Sequence, residues 1–194
     1  SKNCKKEGAI LLAMSILKKQ KNLKPYTVLL DADSMLVGDG SEISKLTQIE
    51  DSIVYMKKNN YMAMALRIDV HLRSVSTLIE KCAFADYTAM QFDQWLMGHQ
   101  DQLWVINGPG GIFKSKNLLN ILNNIVPDFE TGDFIITIDL MKQKSKICYN
   151  SKFSVDTLVP KDLKEYFLQR RRWERGTTKV LWYEKIFFLN LFRN

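Results

Sequence analysis

Tyr26 to Leu30 (YTVLL) is a short apolar run that follows Pro25 and stops on two acids, Asp31 and Asp33. An uninterrupted run of this kind predicts a strand covered on both faces of a parallel sheet. In open α/β sheets ligands bind at the carboxyl ends of the strands, where these acids fall. Two carboxylates one residue apart on an extended chain project to the same side. Their repulsion is relieved by a bridging cation, and a hard divalent ion with oxygen ligands is the natural one. The plainer reading is a strand-to-loop turn, since Asp and Ser favour turns.

With 194 residues, 46% hydrophobic and 25% charged, the chain has material for one core and not for two generous ones. The excess of 28 basic over 21 acidic residues gives +7, which suits an anionic ligand, a nucleic acid or an acidic membrane surface. Cys4, Cys82 and Cys148 are far apart and lack CxxC spacing, so neither a disulfide framework nor a zinc site is indicated. A reducing compartment is the simpler reading. His71 and His99 are isolated and receive no role. No apolar run reaches the roughly 18 to 20 residues that span a bilayer. Val180 to Phe192 (VLWYEKIFFLNLF) is nevertheless apolar and aromatic. It reads equally as a helix lying in a membrane interface or as a last core helix.

Helical spacing of apolar residues predicts helices over 5–18, between Gly40 and Asn60 with Asn59-Asn60 as the stop, and over 76–97. Strands are expected at 62–70 and 103–106, the second running into Asn107-Gly108-Pro109-Gly110-Gly111. Glycines of this kind let a backbone bend sharply or approach a ligand closely, although many such turns bind nothing. A short helix should run from Ser115 to Ile125. Another should begin at Thr131-Gly132-Asp133, where an acid in the first turn is stabilised by the helix dipole and can be a mere cap. After a strand at 146–150, a helix over 161–177 carries the densest cationic cluster, Arg170, Arg171, Arg172 and Arg175. Neighbouring arginines on a helix diverge, whereas Gln169, Arg172 and Trp173 share one face. A guanidinium fork suits phosphate oxygens, and an indole beside it can stack on a sugar or planar ring. Taken alone, the run reads as a solvated basic face or an anionic-surface contact before it reads as a catalytic element.

The order of these signals resembles the D-x-D, T-E-D and Q-x-x-R-W series of the inverting family-2 glycosyltransferases. They are carried here by Asp31-Ala32-Asp33, Thr131-Gly132-Asp133, and Gln169 with Arg172-Trp173. The likeness is to the membrane-embedded type: cellulose, chitin, hyaluronan and poly-N-acetylglucosamine synthases. Asn3 to Ala9 is similar to their N-x-G-K-x-G-A stretch, Asn107 to Lys114 to the S-G-P-x-G-x-Y-R segment of hyaluronan synthases, and Asp86-Tyr87 falls where Glu-Tyr is common. Gly132 stands where T-E-D has its Glu.

The resemblance implies an α/β, GT-A-like fold, a mostly parallel sheet flanked by helices, with residues 1–178 forming the catalytic domain. Residues 179–194 would lead to transmembrane helices, and the chain would be truncated at both ends, lacking the first nucleotide-binding strand. It implies transfer of a sugar from a nucleotide-sugar donor, a UDP-sugar, to a hydroxyl of a growing polysaccharide or glycan acceptor. Mg²⁺ or Mn²⁺ would be held by Asp33 with help from Asp31, and Lys6 would lie against the nucleotide. Asp133 would be the general base, and Arg172 would stabilise the departing diphosphate. Gln169 and Trp173 would sit at the junction of acceptor and diphosphate, with Gly108, Pro109 and Gly110 lining the acceptor terminus. The catalytic part would face the cytosol from a plasma or inner membrane, and no nucleic-acid partner is expected. The alternatives are a catalytically inactive glycosyltransferase-like subunit or scaffold and then a basic nucleic-acid-binding module. A dinucleotide enzyme lacks its G-x-G-x-x-G after the first strand.

Overall fold

Ala63 to Val70 (AMALRIDV) alternates its side chains between two apolar environments, and the whole fold is layered on that strand. A computed structural model describes residues 5–37, 42–70, 77–98, 103–125 and 130–191. In chain order the elements are α1 (Lys5–Lys19), β1 (Tyr26–Leu30), β2 (Met35–Val37), α2 (Glu42–Asn59), β3 (Ala63–Val70) and α3 (Leu78–Gly98). They continue with β4 (Gly110–Lys114), α4 (Ser115–Asn124), α5 (Gly132–Lys142), β5 (Ile147–Thr157), α6 (Leu163–Tyr183) and α7 (Lys185–Leu191). Ala63 and Ala65 pack with Met14, Leu118, Ile136 and Leu140 on the α1, α4 and α5 side. Met64 and Leu66 pack with Met56, Ile112, Phe153 and Val155 on the α2 side. Burying each large side chain of this kind contributes about 1.5–3 kcal/mol.

The five strands form one mixed sheet in the order β1-β4-β3-β5-β2. The expectation of a mostly parallel sheet needs correction: among the described residues β3 and β5 are the one parallel pair, and the other three pairings are antiparallel. β1 is an edge strand, half-buried along most of its length. The reversal comes from β4, which enters the sheet between β1 and β3 and runs against both. It follows that β1, β3 and β5 still point the same way, so Asp31, Val70 and Leu158 lie at one edge of the sheet. Residues 103–106 are not a strand. Leu103 and Ile106 are buried as anchors of an irregular segment, and the Ile106 N–H is bonded to Thr137 Oγ1 at 2.9 Å instead of a ladder partner.

Gly110 and Gly111 explain how β4 fits where it does. A Cβ at Gly110 would lie 2.6 Å from Val155 Cγ2, and one at Gly111 would lie 2.8 Å from Ile106 Cγ2. The two glycines thus permit close packing inside the sheet.

The helices at 5–19, 42–59, 78–98, 115–124 and 132–142 fall where periodicity puts them. Asn60 ends α2 in the left-handed region, with φ 56°, a conformation Asn tolerates. α6 begins at a cap, with Asp162 Oδ1 accepting from the Glu165 N–H at 2.9 Å. It runs without a break across position 178, the expected domain boundary. The aromatic end is divided between the two readings made of it. Val180 and Phe188 are buried against Ile135 and Ile138, while Trp182, Ile186 and Leu189 are exposed. Phe192 lies outside the described residues. Among the described residues no helix is long and apolar enough to cross a membrane.

Gly110→Ala is expected to destabilise the protein by about 1–3 kcal/mol, the usual effect of overpacking a filled core. The measurement is the urea unfolding midpoint at unchanged m-value. A midpoint equal to wild type would mean that Val155 yields and that the glycine is not needed for packing.

Candidate active site

Helix α1 ends its first turn beside the carboxyl edge of the sheet, and Lys6 reaches from it into the turn after β1. The Lys6 ammonium pairs with Asp31 and donates to the Gly108 carbonyl at 3.1 Å. The Gly108 N–H in turn donates to Asp133 Oδ2 at 3.0 Å. Asp133 Oδ1 accepts from the Phe134 N–H at 2.9 Å, so the acid of α5 is held by two backbone donors from different segments. A Cβ at Gly108 would lie 3.4 Å from Asp133 Oδ2, 3.4 Å from Lys6 Nζ and 3.5 Å from Asp31 Oδ2. Groups from positions 6, 31 and 133 therefore meet around one glycine.

The segment bearing Gly108 is fixed to α5 a second time. Thr137 donates its hydroxyl to the Asp133 carbonyl at 2.8 Å and accepts the Ile106 N–H. The acidic pair is carried by a turn, closed by the Ser34 N–H on the Asp31 carbonyl at 3.1 Å, and not by extended chain as expected. Ser34 also donates its hydroxyl to Thr157 Oγ1 at 3.2 Å, which ties that turn to the end of β5. Asp33 is exposed on the turn.

The opposite wall comes from α6. Arg170 does not face the cleft: it pairs with Asp86 at 2.8 Å and lies over the rings of Trp173 and Tyr166, at 4.4 and 4.9 Å. Asp86 also accepts the Tyr166 hydroxyl at 2.6 Å, and Tyr87 meets Trp173 edge-on at 6.0 Å between centroids. These contacts clamp α6 to α3 and turn the face of Gln169, Arg172 and Trp173 inward. The arginines diverge as helical geometry requires, although Arg171 joins Arg172 at the cleft and Arg175 pairs with Glu130.

The cleft so formed has a volume of about 1530 Å³, and Lys6, Asp31, Asp33, Gly108, Pro109, Asp133, Gln169, Arg172 and Trp173 all line it. That exceeds the roughly 300–1,000 Å³ of a single small-molecule pocket. Gly110 is the exception among the expected site residues, being buried in β4 against Val155 and Leu66. Glu7 and Trp104 also line the cleft without having been named as site residues, and Tyr87 and Asn107, quoted only as parts of the Asp86-Tyr87 and Asn107 to Lys114 likenesses, line it too. Asn107 and Glu7 sat in stretches read for their glycines and their lysine.

Burial pushes the Asp133 carboxyl above its ordinary range, against the pull of the Phe134 N–H, the Lys6 ammonium and the Gly108 N–H, and Asp31 raises it further. Tyr87 is pushed up to about 12, chiefly by burial. Among the described residues no group of three His, Cys, Asp or Glu side chains is arranged to hold a metal ion. Asp31 and Asp33 both line the cleft, and carboxylates are the donor type of which Mg²⁺ takes one or two, but Asp31 is already paired with Lys6. No protein-family model matches the chain, and no curated protein is a significant match to it.

Unfolded, an aspartate has a pKa of about 3.9. Because Asp133 is raised in the fold, the native state holds the extra proton between the unfolded and folded values, so stability falls as pH rises through that window. Comparing urea unfolding of wild type and Asp133→Asn between about pH 7 and about pH 4.5, wild type should gain stability relative to the variant as pH falls. A difference that does not change with pH would show that the carboxyl is not shifted.

Proposed function

We propose that the chain is the catalytic part of a metal-dependent inverting glycosyltransferase, moving a sugar from a nucleotide-sugar donor, a UDP-sugar, to a hydroxyl of a growing polysaccharide or glycan. The observation that carries this reading is the meeting of Lys6, Asp31 and Asp133 around Gly108, in one cleft with Asp33 and Arg172. The residues are distant in sequence, and their chemistry is what sugar transfer from a diphosphate requires. The common direction of β1, β3 and β5, with acids at their carboxyl edge, supports a GT-A-like arrangement despite the mixed sheet.

In the reaction the acceptor oxygen bonds to the anomeric carbon as the bond from that carbon to the diphosphate breaks. The electron pair leaves with the nucleoside diphosphate, and the acceptor proton passes to Asp133. A base with a raised pKa is suited to that transfer near neutral pH, where donor and acceptor affinities for the proton are better matched. Arg172, exposed to the cleft, opposes the negative charge growing on the leaving oxygen. Lys6, already oriented by Asp31 and the Gly108 carbonyl, is placed to approach the nucleotide or its diphosphate. Trp173, stiffened by Arg170 over its ring and by Tyr87 edge-on, lines the cleft beside Arg172, where an indole can border a bound sugar. Asp33, with Asp31, would hold Mg²⁺ or Mn²⁺, which when bound supplies Lewis acidity toward the diphosphate oxygens. The exposed Trp182, Ile186 and Leu189, with Lys185 over Trp182 at 4.8 Å, suit contact with a membrane interface on the cytosolic side.

The reading is tested by giving the protein, in membranes prepared from cells that express it, a panel of labelled nucleotide sugars with Mg²⁺ or Mn²⁺ and sizing the products. Absence of transfer from every donor would overturn it. Asp133→Asn should lower transfer by about 10²–10⁴-fold while calorimetry finds UDP-sugar affinity unchanged; full turnover in the variant would remove Asp133 as the base. Asp33→Ala should abolish the part of donor affinity that depends on Mg²⁺ or Mn²⁺. Calorimetry giving the wild-type isotherm with the ion present would refute the metal role.

A further inference from the structure

Lys18, Lys21, Lys24, Lys57, Lys114 and Lys116 line a second cavity, of about 1060 Å³, and no Asp or Glu lines it with them. They come from the end of α1, the connector to β1, the end of α2 and the junction of β4 with α4. Strand register places the cavity away from the cleft. Tyr26 pairs with Lys114 at this end of the sheet, whereas Leu30 pairs with Gly110 at the end where Asp31 follows. The six positive charges are nearly the whole of the chain's excess of +7. Among the described residues none of the six is in an ion pair. Lys114 donates to Asn60 Oδ1 at 3.0 Å and the Lys57 ammonium lies over the Tyr26 ring at 5.9 Å, neutral partners that leave both charges unopposed.

Ammonium groups gathered in one hollow repel one another, and an anion that reaches several of them relieves the repulsion. Two further features favour phosphoryl oxygens. Helix α4 opens on this cavity without a side-chain cap, so the positive end of its dipole adds to the lysines. Lys21 holds φ 58°, the left-handed backbone that usually falls to glycine or asparagine just past a helix, so a lysine is kept there at a cost in stability. A lipid surface fits less well. Among the described residues, no large hydrophobic side chain that is exposed lines the cavity, so it has nothing to insert between lipids. Its volume is on the scale of a small-molecule site.

We infer that this cavity binds a soluble oligophosphate, an anion of two or more linked phosphoryl groups, at a site separate from the cleft. The inference does not depend on the transferase reading. A lone phosphoryl group brings about two negative charges, so several are needed to offset six lysines. Asn117, Asn120 and Asn123, three residues apart on α4, line the same cavity and supply amide donors for oxygens that the lysines do not reach.

Inorganic tripolyphosphate is the probe, titrated into the purified protein by calorimetry in about 0.1 M salt, where distant surface charges are screened. Lys18→Gln combined with Lys21→Gln and Lys24→Gln should weaken its affinity by about tenfold or more. Arg172→Ala, which alters the cleft, should leave the lysine-dependent binding in place. Lys21→Gly should raise the melting temperature measured without the probe and yet weaken affinity by about two- to fivefold. A lysine that merely ended a helix would give the first change and not the second, and a variant that melts higher cannot have lost binding by misfolding. Absence of tripolyphosphate binding to wild type, or affinity lost in Arg172→Ala and kept in the lysine variants, would overturn the site. Lysine-dependent capture by phosphatidylglycerol vesicles or by duplex DNA that tripolyphosphate fails to displace would overturn it too, and give the cavity to a membrane or a nucleic acid.

Discussion

Gly108 is gripped from both sides of its own backbone. Its N–H goes to Asp133 at 3.0 Å and its carbonyl receives Lys6 at 3.1 Å. Because Lys6 is also bound to Asp31, this residue links helix α1, the turn after β1 and the start of α5. A Cβ at 108 would sit in ordinary van der Waals contact with all three charged groups, which marks this residue as the point where they converge. Two carboxylates and one ammonium in a partly buried space stabilise one another only if each keeps its partners. The two backbone donors on Asp133 and the shared lysine meet that condition.

The sheet makes this meeting possible. β3 buries alternate residues in two cores, and the strands beside it take their positions from its two faces. β4 runs against its neighbours, so its amino end, preceded by Gly108 and Pro109, arrives at the edge where β1 and β5 finish. A wholly parallel sheet would deliver only strand carboxyl ends to that edge. The mixed sheet also delivers a segment entering a strand, with free backbone N–H and C=O groups to spend on the site.

α6 illustrates how one cationic run divides its labour. Arg170 is used up on Asp86 and on the rings of Tyr166 and Trp173, while Arg171, Arg172 and Arg175 line the cleft, Arg175 paired there with Glu130. The structural arginine orients the helix, and its neighbours meet what the cleft binds. The +7 balance of the chain is therefore no measure of a uniform basic surface.

Much of this was legible in the linear chain. Periodicity located α1, α2 and α3, start and stop residues placed α4, α5 and the beginning of α6, apolar runs located β1 and β3, and Asp133 was read at a helix start. The shared face of Gln169, Arg172 and Trp173 follows from helical spacing alone. These are local consequences of dihedral preference and of side chains repeating every 3.6 or 2 residues. What required the tertiary structure was anything depending on who lies opposite whom. The direction of β4 and the missing strand at 103–106 came from pairings and from the Thr137 bond to Ile106. Gly110 was assigned to a ligand, but its neighbours are Val155 and Leu66. The place of Glu7 over Gly132 is beyond any reading of letters, since the 124 intervening residues carry no periodic signal of that contact. The chain's own order determined which helices and strands form and which residues share their faces. Only the packing decided which charges meet, because contact between distant segments depends on a sheet order that local preference does not encode.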